Sequence, residues 1–210
     1  MGPCMVADVA ADCVIGVDLG GTKVLAGAVD SEQQVHHRAQ RQVIGLEQAP
    51  LLDAVVDAVD EARAAAPNSP EAVGFGIPSL IDQDRGTAVM SVNLPIVNMP
   101  FRDVMSERLA VPVFIDNDAN LAALAEHRYG AARGSRHSLM LTIGTGIGGG
   151  VIAAGDLLLQ PARDEMAVRA LRPNKDLVRI VPAHFGNEAG MLGAAALAFD
   201  GIGRREAAGA

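Results

Sequence analysis

The chain has 210 residues, half of them apolar, and carries a formal net charge of -8 at pH 7. This length and composition are typical of an ordered globular protein with one large domain or two small lobes. Nucleic-acid binding needs clustered Lys and Arg together with aromatic rings, so the acidic balance and the aromatic content of 3% argue against a nucleic-acid partner.

Residues 1–13 form a leader ahead of the first predicted strand. They lack the basic start and apolar core of a secretory signal, and no apolar stretch of the chain approaches the length of a membrane span. Both cysteines, Cys4 and Cys13, lie in this leader, and two thiols are too few for a four-ligand zinc site. We therefore expect a cytoplasmic protein with no membrane partner and no zinc site.

Residues 14–29 predict a strand, a tight turn and an antiparallel strand. Two β-branched apolar runs flank the motif Asp18-Leu19-Gly20-Gly21-Thr22-Lys23. Without Cβ atoms the two glycines can adopt positive φ and allow close approach to the turn. Its N–H groups and the Thr22 hydroxyl are suited to phosphate oxygens, and Asp18 can hold Mg²⁺ directly or through water. An ordinary hairpin would account for the same residues.

Residues 34–115 predict a mixed α/β sheet covered by helices. Strands are predicted at 34–43, 73–77, 87–92 and 111–115, and helices at 49–65 and 101–109. Pro78 ends the strand at 73–77, and Asn93-Leu94-Pro95 turns the chain after the strand at 87–92.

Polar residues cluster between the predicted strand 111–115 and a predicted helix at 121–129. The run Asp116-Asn117-Asp118-Ala119-Asn120 lies at the carboxyl end of a strand, where open α/β sheets bind ligands. Helix capping by Asn117 or Asp118 is the alternative explanation, and it accounts for only one of them. We therefore predict a functional role for Asp118.

A second glycine-rich turn follows the predicted strand 138–143. Its sequence, Gly144-Thr145-Gly146-Ile147-Gly148-Gly149-Gly150, repeats the pattern of the first hairpin, and the two turns would face each other across a polyphosphate. Beyond it we predict a helix at 156–171, a strand at 177–181, an Ala-rich helix at 188–199 and a frayed tail from Gly201. Gly190 and Gly193 are placed on one side of the Ala-rich helix for close packing.

These three motifs resemble those of the ROK family of sugar kinases, and most of all its bacterial glucokinases. Residues 18–23 resemble the first phosphate motif, residues 117–120 the catalytic motif and residues 144–150 the second phosphate motif. The resemblance implies an actin-like, ribonuclease H-like α/β fold with two lobes. We expect an N-terminal lobe at 14–115, an incomplete C-terminal lobe at 116–200 and a tail at 201–210.

The resemblance also implies phosphorylation of a hexose, glucose before others, by ATP with Mg²⁺. Asp118 would take the proton from the sugar hydroxyl, and Asp18 would position Mg²⁺ through water. The sugar would also be bound by Asn117, Asn93, Gly76 and Pro78. The phosphate oxygens would be bound by Gly20, Gly21, Thr22, Lys23, Thr145 and Gly146.

The chain departs from the family after the second phosphate motif. The family's Glu-x-Gly-His sugar clamp, its Cys-rich zinc loop with a further sugar-binding Glu and several helices have no counterpart in the sequence. Gly148-Gly149-Gly150-Val151 resembles both the second phosphate motif and a later glycine triplet of the family. We expect an internal block of about 100 residues, most of a small domain, to be missing at this triplet.

Loss of this block is expected to impair the kinase, because each buried sugar hydroxyl left unpaired costs about 1–3 kcal/mol. The alternative is a noncatalytic nucleotide-binding relic. The family's repressors, with a helix-turn-helix ahead of the kinase-like part, are a weaker alternative, since only 13 residues precede the first strand. Uncovered apolar surface would favour a homodimer.

Overall fold

The computed structural model describes residues 12–143, 147–153 and 183–209. Within them lie the strands β1 (Cys13–Leu19), β2 (Lys23–Asp30), β3 (Val35–Gln42), β4 (Val73–Ile77), β5 (Ser79–Asp82), β6 (Thr87–Ser91), β7 (Val97–Met99), β8 (Val113–Asn117), β9 (His137–Ile143) and β10 (Ile147–Ala153). The α-helices are α1 (Gln48–Ala64), α2 (Phe101–Leu109), α3 (Asp118–Arg128) and α4 (Ala189–Gly209). A 3-10 turn at Gly186–Glu188 precedes α4.

The main sheet has five strands in the order β3-β2-β1-β4-β8. β1 pairs antiparallel with β2 and β2 with β3, whereas β1, β4 and β8 run parallel. β1 and β4 are nearly continuous runs of buried residues, as expected for strands covered on both faces. A three-stranded antiparallel sheet, β5-β6-β7, and the hairpin β9-β10 are separate from it. The predicted mixed α/β architecture is confirmed.

Helices cover both faces of the main sheet. Successive residues of β1 point to opposite faces, so Ile15 and Val17 lie in one core with α1 and α2, and Val14 lies in another with α4. The ring of Phe101 on α2 packs edge-on against that of Phe75 on β4, with 5.3 Å between centroids. The buried stripe of α1 consists of Leu51, Leu52, Val55, Ala58, Val59 and Ala62. Burial of this stripe stabilises a helix that would be marginal alone.

α4 lies so close to the main sheet and to α3 that there is no room for a Cβ atom where the backbones meet. Gly16 and Gly74 of the sheet would each overlap a backbone carbonyl oxygen of α4 if they carried a Cβ. A Cβ at Gly193 would overlap the carbonyl oxygen of Leu121 on α3. The predicted close packing of Gly193 and Gly190 is confirmed, and the partner of Gly190 is the Asp18 side chain.

The buried carboxylate of Glu126 on α3 connects the segments that flank it in space. Its oxygens accept hydrogen bonds from the backbone N–H groups of Ala131 at 2.8 Å, His184 at 2.9 Å and Phe185 at 2.6 Å. A buried charge is tolerated when several donors satisfy it. Glu126 therefore connects the turn after α3 with the segment that precedes α4.

Most of the predicted elements within the described residues are confirmed, with differences at their boundaries. α3 begins at Asp118 rather than Leu121, because Asn117 supplies the cap. Residues 148–150, predicted as part of a turn, belong to strand β10. Strands β5 and β7 are not predicted from the sequence, because strands of four and three residues show too little apolar alternation.

The prediction of a frayed tail from Gly201 is wrong, because α4 continues to Gly209. Gly201 packs against the ring of Phe114 on β8, and this contact holds the second half of the helix to the sheet. The predicted helix 156–171 and strand 177–181 lie outside the described residues. Within the described ranges, no helix combines the length and apolar character needed to cross a bilayer.

Candidate functional site

The carboxyl ends of the three parallel strands bring the predicted site residues together. The register aligns Asp18 on β1 with Gly76 on β4, and Gly76 with Asp116 on β8. The next row pairs Ile77 with Asn117. Because parallel strands end at the same edge of a sheet, residues far apart in sequence form one polar edge.

The first hairpin turn lies at this edge and is shaped by two backbone hydrogen bonds. The Gly20 N–H donates to the Lys23 carbonyl oxygen, and the Val43 N–H donates to that of Thr22, both at 2.9 Å. Thr22 and Lys23 are exposed, so both side chains are accessible to a ligand.

Gly20 and Gly21 do not use the positive φ that glycine allows. Close packing leaves room only for glycine at position 21, because a Cβ there would lie 2.7 Å from the Cβ of Asn93. Asn93 therefore packs against the first hairpin turn. A side chain at Gly21 would push the turn away from the loop that follows β6.

Burial and charge raise the pKa of Asp18 from its ordinary value of 3.8 to about 6. Desolvation is the largest cause, the charge of Asp118 adds to it, and Lys23 opposes it. The carboxylate lies beside Gly190 in the first turn of α4, where a Cβ would be 2.7 Å from Asp18 Cγ. The site therefore holds an incompletely compensated negative charge that a cation would stabilise.

We predict that Asp18→Asn stabilises the protein at pH 7. Because the folded state binds a proton more tightly than the unfolded state, ionisation of Asp18 destabilises the fold as pH rises from about 4 to 6, and the loss persists above that range. At about 1.4 kcal/mol per pKa unit, removal of this charge should add about 2–3 kcal/mol at pH 7 and nothing at pH 3. Urea unfolding at several pH values measures this.

The control for Asp18 is Asp84→Asn, which removes an exposed carboxylate from a turn. It should change the free energy of unfolding by less than about 0.5 kcal/mol. If Asp18→Asn destabilises the chain at pH 7, the described burial of a charged Asp18 is contradicted.

Asn117 caps the N-terminus of α3, and Asp118 is the first residue of this helix. Asn117 Oδ1 accepts from the N–H groups of Ala119 at 3.1 Å and Asn120 at 3.2 Å, which caps the helix. Its Nδ2 donates to the carbonyl oxygen of Ser79 at 3.3 Å. Asp118 Oδ1 accepts from the Ala119 N–H at 2.9 Å. Since the cap is supplied by Asn117, the Asp118 carboxylate is available for another role.

A cavity of about 700 Å³ opens beside this helix start. Its polar lining comes from the segment that follows β4 and from the run 116–120, and neither Asp18 nor Asp118 belongs to it. The polar lining residues are Ser79, Gln83, Asp116, Asn117 and Asn120, and Pro78 is among the apolar ones. Gly76 is not among the lining residues, and its missing Cβ leaves 3.4 Å to the Cα of Asp118. Asn117 and Pro78, two of the residues predicted to bind the sugar, thus line the cavity. Gly76 instead packs against Asp118.

Ser79 is missed by the sequence analysis, because the strand that carries it is not predicted. Its hydroxyl donates to the Met90 carbonyl oxygen at 2.8 Å and is buried between β5 and β6. Asp116 Oδ1 accepts from the Asn117 N–H at 2.6 Å and from Asn120 Nδ2 at 3.3 Å. Asp116 therefore holds the backbone and side chains of the run 116–120 in place, and this polar run is the signal in the sequence that includes it.

The second glycine-rich hairpin packs against the helix that carries Asp118. β9 and β10 pair antiparallel, as predicted. A Cβ at Gly150 would lie 2.7 Å from the Ala119 carbonyl oxygen and 2.6 Å from the Ala123 Cβ. The predicted phosphate residues Thr145 and Gly146 lie outside the described residues.

The sequence pattern of the ROK family matches residues 14–159. A glucokinase of Streptomyces coelicolor is 35% identical over 143 residues, which are 68% of this chain and 44% of that protein. A xylose repressor of Caldicellulosiruptor bescii is 30% identical over 148 residues, or 66% of this chain and 36% of the repressor. The chain spans less than half the length of either relative.

Solved structures of ROK proteins share the fold. A ROK family glucokinase from Streptomyces griseus, solved with glucose and AMPPNP, superposes with a TM-score of 0.63 at 36% identity over 67% of this chain and 44% of that one. An inorganic polyphosphate/ATP-glucomannokinase from Arthrobacter gives 0.68 at 27% identity over 88% of this chain and 97% of that one. These likenesses confirm the predicted actin-like ATPase fold, of which this chain is a partial example.

Proposed function

The chain belongs to the ROK family, and on that premise we propose that it is an ATP-dependent hexose kinase by descent, with glucose as the first expected sugar. The observation that carries the proposal is the position of the Asp118 carboxylate, which begins α3 directly after the carboxyl end of β8. It lies near enough to Asp18, on the same edge of the sheet, for its charge to add to the rise in the pKa of Asp18 that burial causes. A proton acceptor beside a phosphate-binding turn is the arrangement that phosphoryl transfer to a hydroxyl requires.

In this proposal Asp118 is the general base. Its Oδ1 is fixed by the Ala119 N–H at 2.9 Å, which holds the carboxylate in a defined orientation. As the sugar hydroxyl attacks the γ-phosphorus of ATP, Asp118 takes the hydroxyl proton, and ADP leaves. Asn117 and Pro78 bound the cavity that would receive the sugar, and Gly76 and Asn93 position the elements around it.

The phosphates of ATP would lie between the two glycine-rich hairpins. Gly20, Gly21, Thr22 and Lys23 provide backbone N–H groups, a hydroxyl and a positive charge on one side. Thr145 and Gly146 stay predictions for the other side. Burial raises the pKa of Asp18, and the nearby charge of Asp118 adds to the rise. Two neighbouring carboxylates fit Mg²⁺, which one or two carboxylates usually bind with water and phosphates. Bound Mg²⁺ would neutralise charge on the phosphates.

We further propose that the chain lacks an internal block and that its kinase activity is impaired. The likeness to the Arthrobacter enzyme covers 88% of this chain and nearly all of that one, so it includes more of this chain than residues 14–159. A match to only 44% of the Streptomyces coelicolor glucokinase is what the loss of a large block would produce. The missing sugar ligands would weaken sugar binding, while the first phosphate turn would persist.

The second candidate is a noncatalytic nucleotide-binding relic, which the shortened chain favours. A homodimer and a cytoplasmic location stay predictions. Leu139, Leu141 and Val151 are 63–67% exposed on one face of β9 and β10, and such an apolar surface favours self-association.

A coupled assay of ADP production tests the two candidates. The purified chain is supplied with ATP and Mg²⁺ and with glucose, mannose, N-acetylglucosamine or no sugar. ADP formation that depends on a hexose supports the kinase. Nucleotide binding without sugar-dependent ADP formation supports the relic, and a chain that binds no nucleotide contradicts both.

A further inference from the structure

A second cavity, of about 320 Å³, lies against the edge strand β8 and contains none of the proposed catalytic or phosphate residues. It is bounded by the start of α2, the second half of α4 and the turn after β5. Its polar lining residues are Gln83, Arg102, Asp200, Arg204 and Arg205, and Phe114 forms part of its apolar wall. We call it the arginine cavity.

The arginine cavity carries a local positive charge in a chain of net charge -8. Its carboxylate, Asp200, is already neutralised by Arg128, which donates to both oxygens at 2.9 and 2.6 Å. The guanidinium of Arg205 lies 5.4 Å from the centroid of the Phe114 ring, a cation–π contact that leaves its charge in place.

The positive charges of the other two arginines, Arg102 and Arg204, are only weakly compensated by acidic side chains. Arg102 packs over Gly86, and its ion-pair partner is the exposed Asp103 at 3.3 Å. Arg204 is exposed and forms no ion pair within the part of the chain that the structure describes. Three guanidinium groups from α2 and α4 therefore line one concave space without a matching set of acids.

We propose that the arginine cavity binds a small phosphate-bearing anion. Guanidinium groups present paired N–H donors that match phosphate oxygens, and several of them on different elements would surround the phosphate. The volume is at the lower end of the range for small-molecule sites, which suits a free phosphate or the phosphate of a small ester. Gln83 lines this cavity and the larger one, so a bound anion would contact a loop that both share.

Isothermal titration calorimetry on the full chain tests this with inorganic phosphate, glucose 6-phosphate and, as the uncharged control, glucose. We expect saturable binding of at least one phosphate compound. The variant Arg204→Gln/Arg205→Gln should raise its Kd at least about 10-fold. Arg133→Gln removes the same type of charge from an exposed turn outside the cavity and should change the Kd less than about twofold.

The two phosphate probes distinguish the source of the anion. Equal affinity for both identifies the phosphate group alone as the ligand, and tighter binding of glucose 6-phosphate identifies an ester. Arg102→Gln, on a different helix, should also weaken binding, so the result does not depend on the fold of one variant. Absence of saturable binding, or an unchanged Kd in the Arg204→Gln/Arg205→Gln and Arg102→Gln variants, overturns the proposal.

Discussion

Asp118→Asn should lower kcat for hexose-dependent ADP formation at least about 100-fold, because the amide cannot accept the hydroxyl proton. The substitution is nearly isosteric, and its amide oxygen can still accept the hydrogen bond that the Ala119 N–H donates to Asp118 Oδ1. Helix capping should be retained, since the cap is the Asn117 side chain. The expected loss is therefore chemical, and the KM for ATP should change less than about threefold.

Asp116→Asn is the matched control for Asp118→Asn. It removes one negative charge two residues earlier, and its amide oxygen can still accept from the Asn117 N–H. Because Asp116 positions the run 116–120 and is not proposed to accept the hydroxyl proton, kcat should fall less than about 10-fold. Equal losses in the two variants would contradict the assignment of Asp118 as the general base.

The sequence predicts which residues meet at the carboxyl edge of the sheet because the signals are local. Strand endings, a paired-glycine turn and the polar run 116–120 are all readable within a few residues, and parallel pairing then places Asp18 and Asp116 in one row. The competing capping interpretation is correct for Asn117 alone. The functional role that the sequence indicates for Asp118 stays a prediction.

Contacts between distant segments could not be predicted from the sequence. The approach of Asn93 to Gly21 joins two loops separated by most of the N-terminal half of the chain, and no periodicity marks it. The same holds for Glu126, whose three backbone partners lie in two segments more than 50 residues apart, at Ala131 and at His184 and Phe185. Such contacts depend on tertiary packing, which overrides local preference.

The arginine cavity was equally hidden, for a related reason. Arg102, Arg204 and Arg205 are ordinary surface residues in the sequence, separated by about half of the chain. They meet because α4 continues past Gly201, where a glycine favours a frayed end in isolation and instead allows contact with Phe114. A prediction that ends the helix at residue 199 cannot place Arg204 and Arg205 in this cavity.

Gly193→Ala should lower the free energy of unfolding by at least about 3 kcal/mol. The added Cβ would overlap the Leu121 carbonyl oxygen, and this atom belongs to the backbone of α3, so no rotamer change can make room. The two helices would have to separate, which also opens the contacts of α4 with Gly16 and Gly74. Because α3 begins at Asp118, the same separation should reduce activity at temperatures where the variant is still folded.

Gly203→Ala in the same helix is the control that isolates this contact. A Cβ at Gly203 meets no atom within 4 Å, so the substitution should stabilise the chain by about 0.5–1 kcal/mol through helix propensity alone. The same propensity gain applies at Gly193, so the difference between the variants measures the overlap with Leu121. Urea unfolding followed by circular dichroism gives both values, and a Gly193→Ala variant as stable as Gly203→Ala would mean that α3 and α4 do not cross at this glycine.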